Sequence, residues 1–433
     1  MTRRILFVAM QNSSHTARWI SLIADQGWDL HLFPINYFPV LPQMPCVTVH
    51  QPWFRLRPWA MLKALIGNPG AWFRERSKIK AKLQPHGLRV KTMLPLPIVW
   101  PLDRILNRAI RVRLGESDAT APVLHGPHML ARLVRQLQPD LIHSMEFQHC
   151  GYNVLRAKEL SCGKFPPWLA TNWGSDIHHY RNFPEHRSQI SRLLRSIDYY
   201  SCECRRDVGL AHELGLATKV ISVMPNTGGF DLERVSALRH KHAPTARRLI
   251  MVKGYQHFAG RALTALDAIK RCASVLKEFR IFVFSASREV KKRVKELHSL
   301  KVDVHALPYC DHDEMLQIFA RARVYLGISL SDAISTSMIE AMAMGAFPIQ
   351  TNTSCCEEWI EDGRSGFIVP PDDVELIADR IHRALTDDVL VDQAAEINWK
   401  TVQERLDQRL LRKQAVAFYD EIFADLEGKP KMN

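Results

Sequence analysis

The chain of 433 residues has no run near the roughly 20 consecutive apolar residues that a membrane-spanning helix needs. It also lacks the common nucleotide-binding fingerprints. No Gly-x-Gly-x-x-Gly follows the first apolar run, and Gly-x-x-x-x-Gly-Lys-Ser/Thr is absent, which counts against NAD enzymes and P-loop NTPases. Its nine cysteines are an odd number, and none forms a Cys-x-x-Cys pair. That excludes a disulfide framework and the usual zinc spacings, and it fits a reducing cytosol. Repeats and low-complexity segments are missing as well. The opening run Arg3-Arg4-Ile5-Leu6-Phe7-Val8-Ala9-Met10 is too short for a secretory h-region, and no small-residue cleavage site follows it. It reads as a buried first strand.

What is present is globular. With 46% apolar and 24% charged residues, the chain has enough hydrophobic material for a core in each of two domains. The net charge of +13 is concentrated: residues 51–120 hold fourteen Lys and Arg against four acids. Trp53, Phe54, Trp59, Trp72, Phe73 and Trp100 are interleaved with those cations. A basic, Trp-rich segment suits an anionic lipid surface, where aromatic rings sit at headgroup level. Two other readings stand beside it. One is a solvated helical insertion packed on its own domain; the other is nucleic-acid binding, which is not expected here. The expected location is cytoplasmic, peripheral on the inner face of a membrane.

Short strands alternate with helices in both halves, the pattern of βαβ units and a mostly parallel sheet. The first half begins with strands at Ile5–Met10 and Trp28–Pro34 and continues through Leu141–Met145, Trp168–Asn172, Tyr199–Cys204 and Val220–Met224. The turn cluster Pro225-Asn226-Thr227-Gly228-Gly229 and the charged stretch His240–Arg248 mark a linker. A second series runs from Leu249–Val252 through Ile281–Ser285 and Val324–Ile328 to Phe367–Val369. The expected domains are 1–224, with the basic insertion at about 51–120, then a linker at 225–247, a second domain at 248–401, and a crossover helix and tail at 402–433. Val402–Leu426 reads as one amphipathic helix with Leu406, Leu410, Leu411, Val416 and Phe418 on its apolar positions. The fold class expected is α/β: two doubly wound, Rossmann-like domains facing a central cleft, with ligands at the carboxyl ends of the strands.

Residues 331–350 carry the most chemistry. A strand runs into a polar turn, then into an Ala/Met-rich helix that stops at Gly345. Ser335, Thr336 and Ser337 fall at the helix N-terminus, where free N–H groups and the helix dipole suit an anion. Asp332 and Glu340 bracket the turn, and a carboxylate can accept two sugar hydroxyls. The arrangement suits a ligand with both phosphates and hydroxyls; on local grounds alone, Ser and Thr here also read as ordinary helix caps.

This stretch resembles the donor-site signature of retaining, nucleotide-sugar-dependent glycosyltransferases of the GT-B fold, the family 4 (group 1) type. Their pattern is Glu-x7-Glu followed by Ala-Met-Ala-x-Gly; here Asp332 stands at the first acid, which contacts the transferred sugar in the family. Pro225–Asp231 is similar to the family's Pro-Asn-Gly-Val-Asp linker. Gly363–Asp373 is similar to its Asn-Gly-x-x-Gly-x-Leu-Val segment, with Glu357 and Glu358 just before it. The resemblance implies a GT-B fold with a C-terminal helix crossing back to the first domain. It also implies a hexosyltransferase-type enzyme that needs no metal or other cofactor and takes a nucleotide diphosphate-sugar as substrate. By resemblance Glu340 accepts the ribose hydroxyls, Asp332 the sugar hydroxyls, and Ser335–Ser337 the sugar or phosphates. Lys253 and Arg261, displaced from the family's Arg and Lys positions, are the diphosphate ligands. In the first domain the family's Gly-rich loop is replaced by Gln11–Thr16, where Asn12, Ser13 and His15 are candidates to meet donor or acceptor. His149 substitutes for the family's sugar-contacting histidine, with Glu146 as a second option. Asp176 lies in a segment similar to the family's His-Gly-x-Asp loop and is placed at the cleft mouth to orient the acceptor. The catalytic candidates are therefore His149, Asp176 and Asp332. The acceptor implied is a saccharide or lipid-linked saccharide, as in lipopolysaccharide or other cell-surface polysaccharide synthesis. A nucleotide-sugar epimerase on the same fold, and a non-catalytic membrane- or nucleic-acid-binding protein, are the alternatives.

Overall fold

The computed structural model describes residues 2–35, 40–52, 88–93, 125–161, 163–239 and 242–428. The backbone divides into two compact units, Met1–Gly228 with Arg412–Asn433, and Gly229–Leu411. The division falls inside the Gly228-Gly229 pair, both of whose residues have positive φ. The aromatic-rich residues 53–87 and 94–124, which carry the membrane-surface reading, lie outside the described residues.

In the first unit eight strands form one sheet: β1 (Arg4–Ala9), β2 (Asp29–Pro34), β3 (Thr48–Pro52), β4 (Arg89–Met93), β5 (Leu141–Met145), β6 (Trp168–Thr171), β7 (Tyr199–Cys202) and β8 (Lys219–Val223). Their spatial order is β4-β3-β2-β1-β5-β6-β7-β8, and every pairing is parallel. Winding therefore reverses between β1 and β5. Ile5–Ala9 and all of β5 are buried, as expected of central strands covered on both faces. β4 falls inside the segment read from sequence as an insertion, so residues 89–93 belong to the sheet instead. The apolar signal of Arg-Val-Lys-Thr-Met is weak because it is an edge strand.

In the second unit β9 (Leu249–Lys253), β12 (Arg280–Phe284), β13 (Val304–Ala306), β14 (Val324–Gly327), β15 (Phe347–Thr351) and β16 (Phe367–Val369) form a parallel sheet in the order β13-β12-β9-β14-β15-β16. A short antiparallel pair, β10 (Gln256–His257) and β11 (Gly260–Arg261), follows β9. Here the winding reverses between β9 and β14. Ile250, Val252, Ile281, Val283, Leu326 and Ile349 form the centre of the core.

The C-terminal segment corrects one expectation. It is not a single helix from Val402 but two, Asp388–Arg405 and Gln408–Gly428. Between them the backbone turns aside to pair with the linker: Phe230 N–H donates to the Leu406 carbonyl at 2.7 Å and Gln408 N–H to that of Phe230 at 2.9 Å. Asp407 Oδ1 accepts the Arg409 N–H at 2.8 Å and so starts the second helix. The apolar stripe is Leu411, Ala415, Phe418, Tyr419, Ile422 and Phe423, all buried, whereas Leu410 is exposed.

From Arg412 onward this last helix belongs to the first unit, where it covers an aromatic layer. Tyr419 packs edge-on to Trp28, and Phe418 to Trp19. A buried hydrogen-bond chain pins it. Trp19 Nε1–H donates to the Tyr419 hydroxyl at 2.9 Å, which lies 2.7 Å from His143 Nδ1, while His143 Nε2 lies 2.7 Å from Thr171 Oγ1. Burial pulls the His143 imidazole down to about 3, so the ring is neutral. Consistency of the chain then assigns the remaining protons: Tyr419 donates to Nδ1, and Nε2–H donates to Thr171. The Tyr419→Phe substitution strands two buried groups, the Trp19 N–H and His143 Nδ1. We expect a loss of about 2–4 kcal/mol in urea unfolding; a loss below about 0.5 kcal/mol would show that the chain does not hold the helix.

Candidate active site

In a doubly wound sheet, the loops leaving the strands on either side of the reversal diverge over opposite faces and open a crevice at the carboxyl ends. The sequence-derived candidates fall at these two places, one in each unit.

In the second unit Lys253 ends β9, and Asp332 lies in the loop after β14. Both belong to strands adjoining the reversal. Lys253 is 7% exposed, and its Nζ lies 3.3 Å from Asp332 Oδ2 and 5.4 Å from the Tyr255 ring centroid. Burial works against the ammonium, but Asp332, with Tyr325 and Tyr255, outweighs it and raises the Lys253 pKa; the residue is a fixed cation. Asp332 Oδ1 accepts the Ala333 N–H at 3.0 Å. The diphosphate candidate and the sugar-binding candidate are thus partners in the structure.

The helix Thr336–Ala343 begins directly after Ser335. Ser335 does not cap it with its side chain. Its hydroxyl instead joins a buried group with Ser337 Oγ at 3.3 Å and the Tyr325 hydroxyl at 3.4 Å; Tyr325 and Ser337 lie 2.8 Å apart. Gly327 makes room for this group, since a Cβ there would stand 2.3 Å from both the Tyr325 hydroxyl and Gln350 Oε1. With the serine hydroxyls bonded to each other and to Tyr325, the first N–H groups of the helix are not capped by them. The other end is closed by a Schellman turn: Gly345 has φ +81, its N–H donates to the Met342 carbonyl, and the Ala346 N–H donates to that of Ala341. Two arginines complete it, Arg239 donating to the Ala343 carbonyl at 2.6 Å and Arg247 to that of Met344 at 3.0 Å.

Glu340 is buried to 7% exposure within this helix, and its Oε1 lies 2.8 Å from His312 Nε2. The sequence reading missed His312. A capping box, Asp311 with Glu314, fixes its helix start and so its position, but nothing local points from there to residue 340. Arg261 sits at the start of the helix Ala262–Arg271. Its Nη2 lies 3.9 Å from an exposed Asp372 oxygen, and its buried Nε has no hydrogen-bond partner among the described residues.

In the first unit the candidates gather at the ends of β1, β5 and β6. Ser13 caps the helix Ser14–Ser21, accepting the His15 N–H at 3.2 Å; Asn12 precedes it in the loop. The His15 ring lies 5.5 Å from that of Trp173. Glu146 follows β5 with φ 86, an unusual backbone for a non-glycine residue and a mark of local constraint. Its carboxylate caps the π-helical turn Phe147–Gly151, accepting the N–H groups of His149 at 2.8 Å and Cys150 at 3.0 Å, and pairs with His149 Nδ1 at 3.1 Å. Burial opposes its charge, yet the His149 cation and these N–H groups hold Glu146 below the usual carboxylate range; Glu146 in turn raises His149.

Asp176 was expected to meet the acceptor at an open mouth. It is 4% exposed, and its Oδ2 is occupied by the Phe147 N–H at 2.9 Å and the Trp173 N–H at 2.7 Å. In this conformation it braces the two loops that carry Glu146, His149 and Trp173. Burial, then the charge of Glu146, pushes its pKa well above the ordinary value. The sign of the effect follows. An unfolded Asp176 releases its proton above about pH 4, the folded one keeps it, and stability falls as pH rises through that window. Asn in its place offers the same acceptor oxygen and cannot titrate. We expect the stability of Asp176→Asn relative to wild type to improve from pH 4 towards pH 8 in urea titrations; a difference that does not change with pH would overturn the raised pKa.

The family described as glycosyl transferases group 1 matches residues 247–387, and the glycosyl transferase 4-like family matches residues 77–203. No curated protein matches the chain. Among solved structures, a sucrose-phosphate synthase from Thermosynechococcus elongatus is 14% identical with a TM-score of 0.67, covering 98% of this chain and 100% of its own. Anabaena Alr3699/HepE in complex with UDP and glucose is 16% identical with a TM-score of 0.61, covering 99% and 100%. A trehalose 6-phosphate synthase from Burkholderia multivorans is 13% identical with a TM-score of 0.65, covering 100% of both. Two glycosyltransferase families thus match in the order the two units follow, and the fold is shared along nearly the whole length: this chain is a GT-B glycosyltransferase related to the group 1 glycosyltransferases.

Proposed function

We propose that the second unit holds a nucleotide diphosphate-sugar and that the enzyme transfers its sugar, with retention of configuration, to a saccharide or lipid-linked acceptor. The observation that carries the reading is the pair of buried Lys253 and half-buried Asp332 beside the helix Thr336–Ala343, with Glu340 one turn along it. It places a fixed cation, uncapped helix N–H groups and two carboxylates around the strand reversal, which is the equipment a diphosphate between a ribose and a sugar requires. The relative bound to UDP and glucose supports this class of donor. When diphosphate oxygens take Lys253, Asp332 is released to accept sugar hydroxyls. Glu340, with Oε1 held by His312, offers Oε2 to the ribose. Arg261 adds a second cation for the leaving group. Retention follows if the departing phosphate takes the acceptor proton on the same face, and no separate protein base is then needed.

The first unit meets the acceptor through His149, with Glu146 and Asp176 positioning it and His15, Ser13 and Asn12 lining the neighbouring loop. The excess of cations and tryptophans in residues 51–120 suggests an acceptor at an anionic membrane face, as a lipopolysaccharide or polysaccharide precursor would be. Among the described residues no helix is long and apolar enough to cross a membrane.

Two measurements test the donor site. A thermal-shift panel of UDP, GDP and ADP should show stabilisation by at least one nucleotide; none by any would sink the reading. Glu340→Ala should weaken nucleotide-sugar binding by about 2–3 kcal/mol, a loss of charge-assisted hydrogen bonds, while leaving the unfolding temperature nearly unchanged. Unaltered donor affinity would remove Glu340 from the site. Product analysis with the preferred donor separates transfer from epimerisation, since an epimerase isomerises the sugar with no acceptor present.

A further inference from the structure

The second unit has a cavity of about 390 Å³ at the end of its sheet opposite the donor candidates. Leu249 and Arg280, the first residues of β9 and β12, line it, as do Asp303 just before β13 and Arg321 just before β14. It therefore lies at the amino ends of the strands whose carboxyl ends carry the donor candidates. Its volume is that of a small-molecule pocket.

The lining is strongly unbalanced in charge. Arg247, Arg248, Lys277, Arg280 and Arg321 face two acids, Glu278 and Asp303. The acids are already matched: Arg248 lies 3.5 Å from Glu278, and Arg280 donates to Asp303 at 2.9 Å. Arg247 is 6% exposed and bonds only to carbonyl oxygens, those of His242, Ala322 and Met344. Its charge is fixed in place with no ion-pair partner among the described residues, and Asp392 is the acid that acts on it. The Lys277 and Arg321 side chains have no hydrogen-bond or ion-pair partner among the described residues. Phe279 and Phe282 supply an apolar wall, and the Arg248 guanidinium lies 5.5 Å from the Phe279 ring centroid. Three cations with no ion-pair partner among the described residues surround one concavity and form a field for an anion of more than one charge, and the Lys277 and Arg321 side chains make no hydrogen bond there either.

We infer that this cavity is a second ligand site, distinct from the donor site, that binds a phosphate-bearing anion through Lys277 and Arg321. Phosphate on a soluble metabolite and phosphate on a lipid headgroup share this chemistry, and the same two side chains receive it in either case.

The test uses the full chain with inorganic pyrophosphate in calorimetric titration, and with phosphatidic-acid vesicles in flotation. Wild type is compared with the double variant Lys277→Ala/Arg321→Ala and with Lys253→Ala. Among the described residues neither the Lys277 nor the Arg321 side chain is bonded, so the double variant should keep the wild-type circular dichroism and unfolding temperature. Binding to pyrophosphate, vesicles or both should weaken about ten-fold or more in the double variant and persist in Lys253→Ala. Loss of pyrophosphate binding alone assigns a soluble ligand, and loss of vesicle binding alone a lipid headgroup. The inference is overturned if wild type binds neither probe, if the double variant binds as wild type does, or if binding disappears only in Lys253→Ala. A donor site that binds no nucleotide would leave this outcome unaffected.

Discussion

Parallel strands can be joined only by crossovers, and each crossover must lie on one face of the sheet. Chemistry can be placed where the direction of winding changes, because there two neighbouring loops part. The chain makes that change once in each unit, between β1 and β5 and between β9 and β14. Residues distant in sequence become neighbours as a result: Lys253 and Asp332 are in contact across 79 positions. The apolar strands Ile5–Ala9 and Leu249–Val252 matter to function chiefly because they set where these loops begin.

The two sites solve the problem of burying charge differently. In the second unit a cation and an anion are matched directly, which limits the desolvation cost each would carry alone. In the first unit two carboxylates are buried near each other, and they are separated by role: Glu146 keeps its charge through His149 and backbone N–H groups, and Asp176 keeps its proton. Glu146 is held within its own loop, by His149 and Cys150, whereas Asp176 spans two loops and takes one N–H from each, Phe147 and Trp173.

The central strands were legible because a strand covered on both faces must be continuously apolar. β3 and β4 were not, since Thr-Val-His-Gln-Pro and Arg-Val-Lys-Thr-Met lie at or beside a sheet edge and have no such requirement. The helix Thr336–Ala343, its stop at Gly345 and the bracketing acids could be read because caps and turns are local. Glu146 with φ 86 could not, because its backbone is imposed by contacts its own neighbours in sequence do not announce. His312 and the Lys253–Asp332 contact depend on which strands are adjacent, and periodicity carries no information about that. The break at Leu406–Asp407 was hidden for the same reason: the pattern stays helical, and pairing with Phe230 overrides it.

The helix Thr336–Ala343 is held at both ends, by the hydroxyl group of Tyr325, Ser335 and Ser337 at one and by Arg239, Arg247 and the Gly345 turn at the other. Sliding it along its axis by even one residue would break several of these bonds together. It therefore behaves as a fixed strut, and the donor proposed for its N-terminus would find the groups already in place, with little ordering entropy left to lose. In the proposed donor site, discrimination between ligands would then fall to side-chain length at the rim rather than to helix movement, and there Asp332 is one methylene shorter than a glutamate.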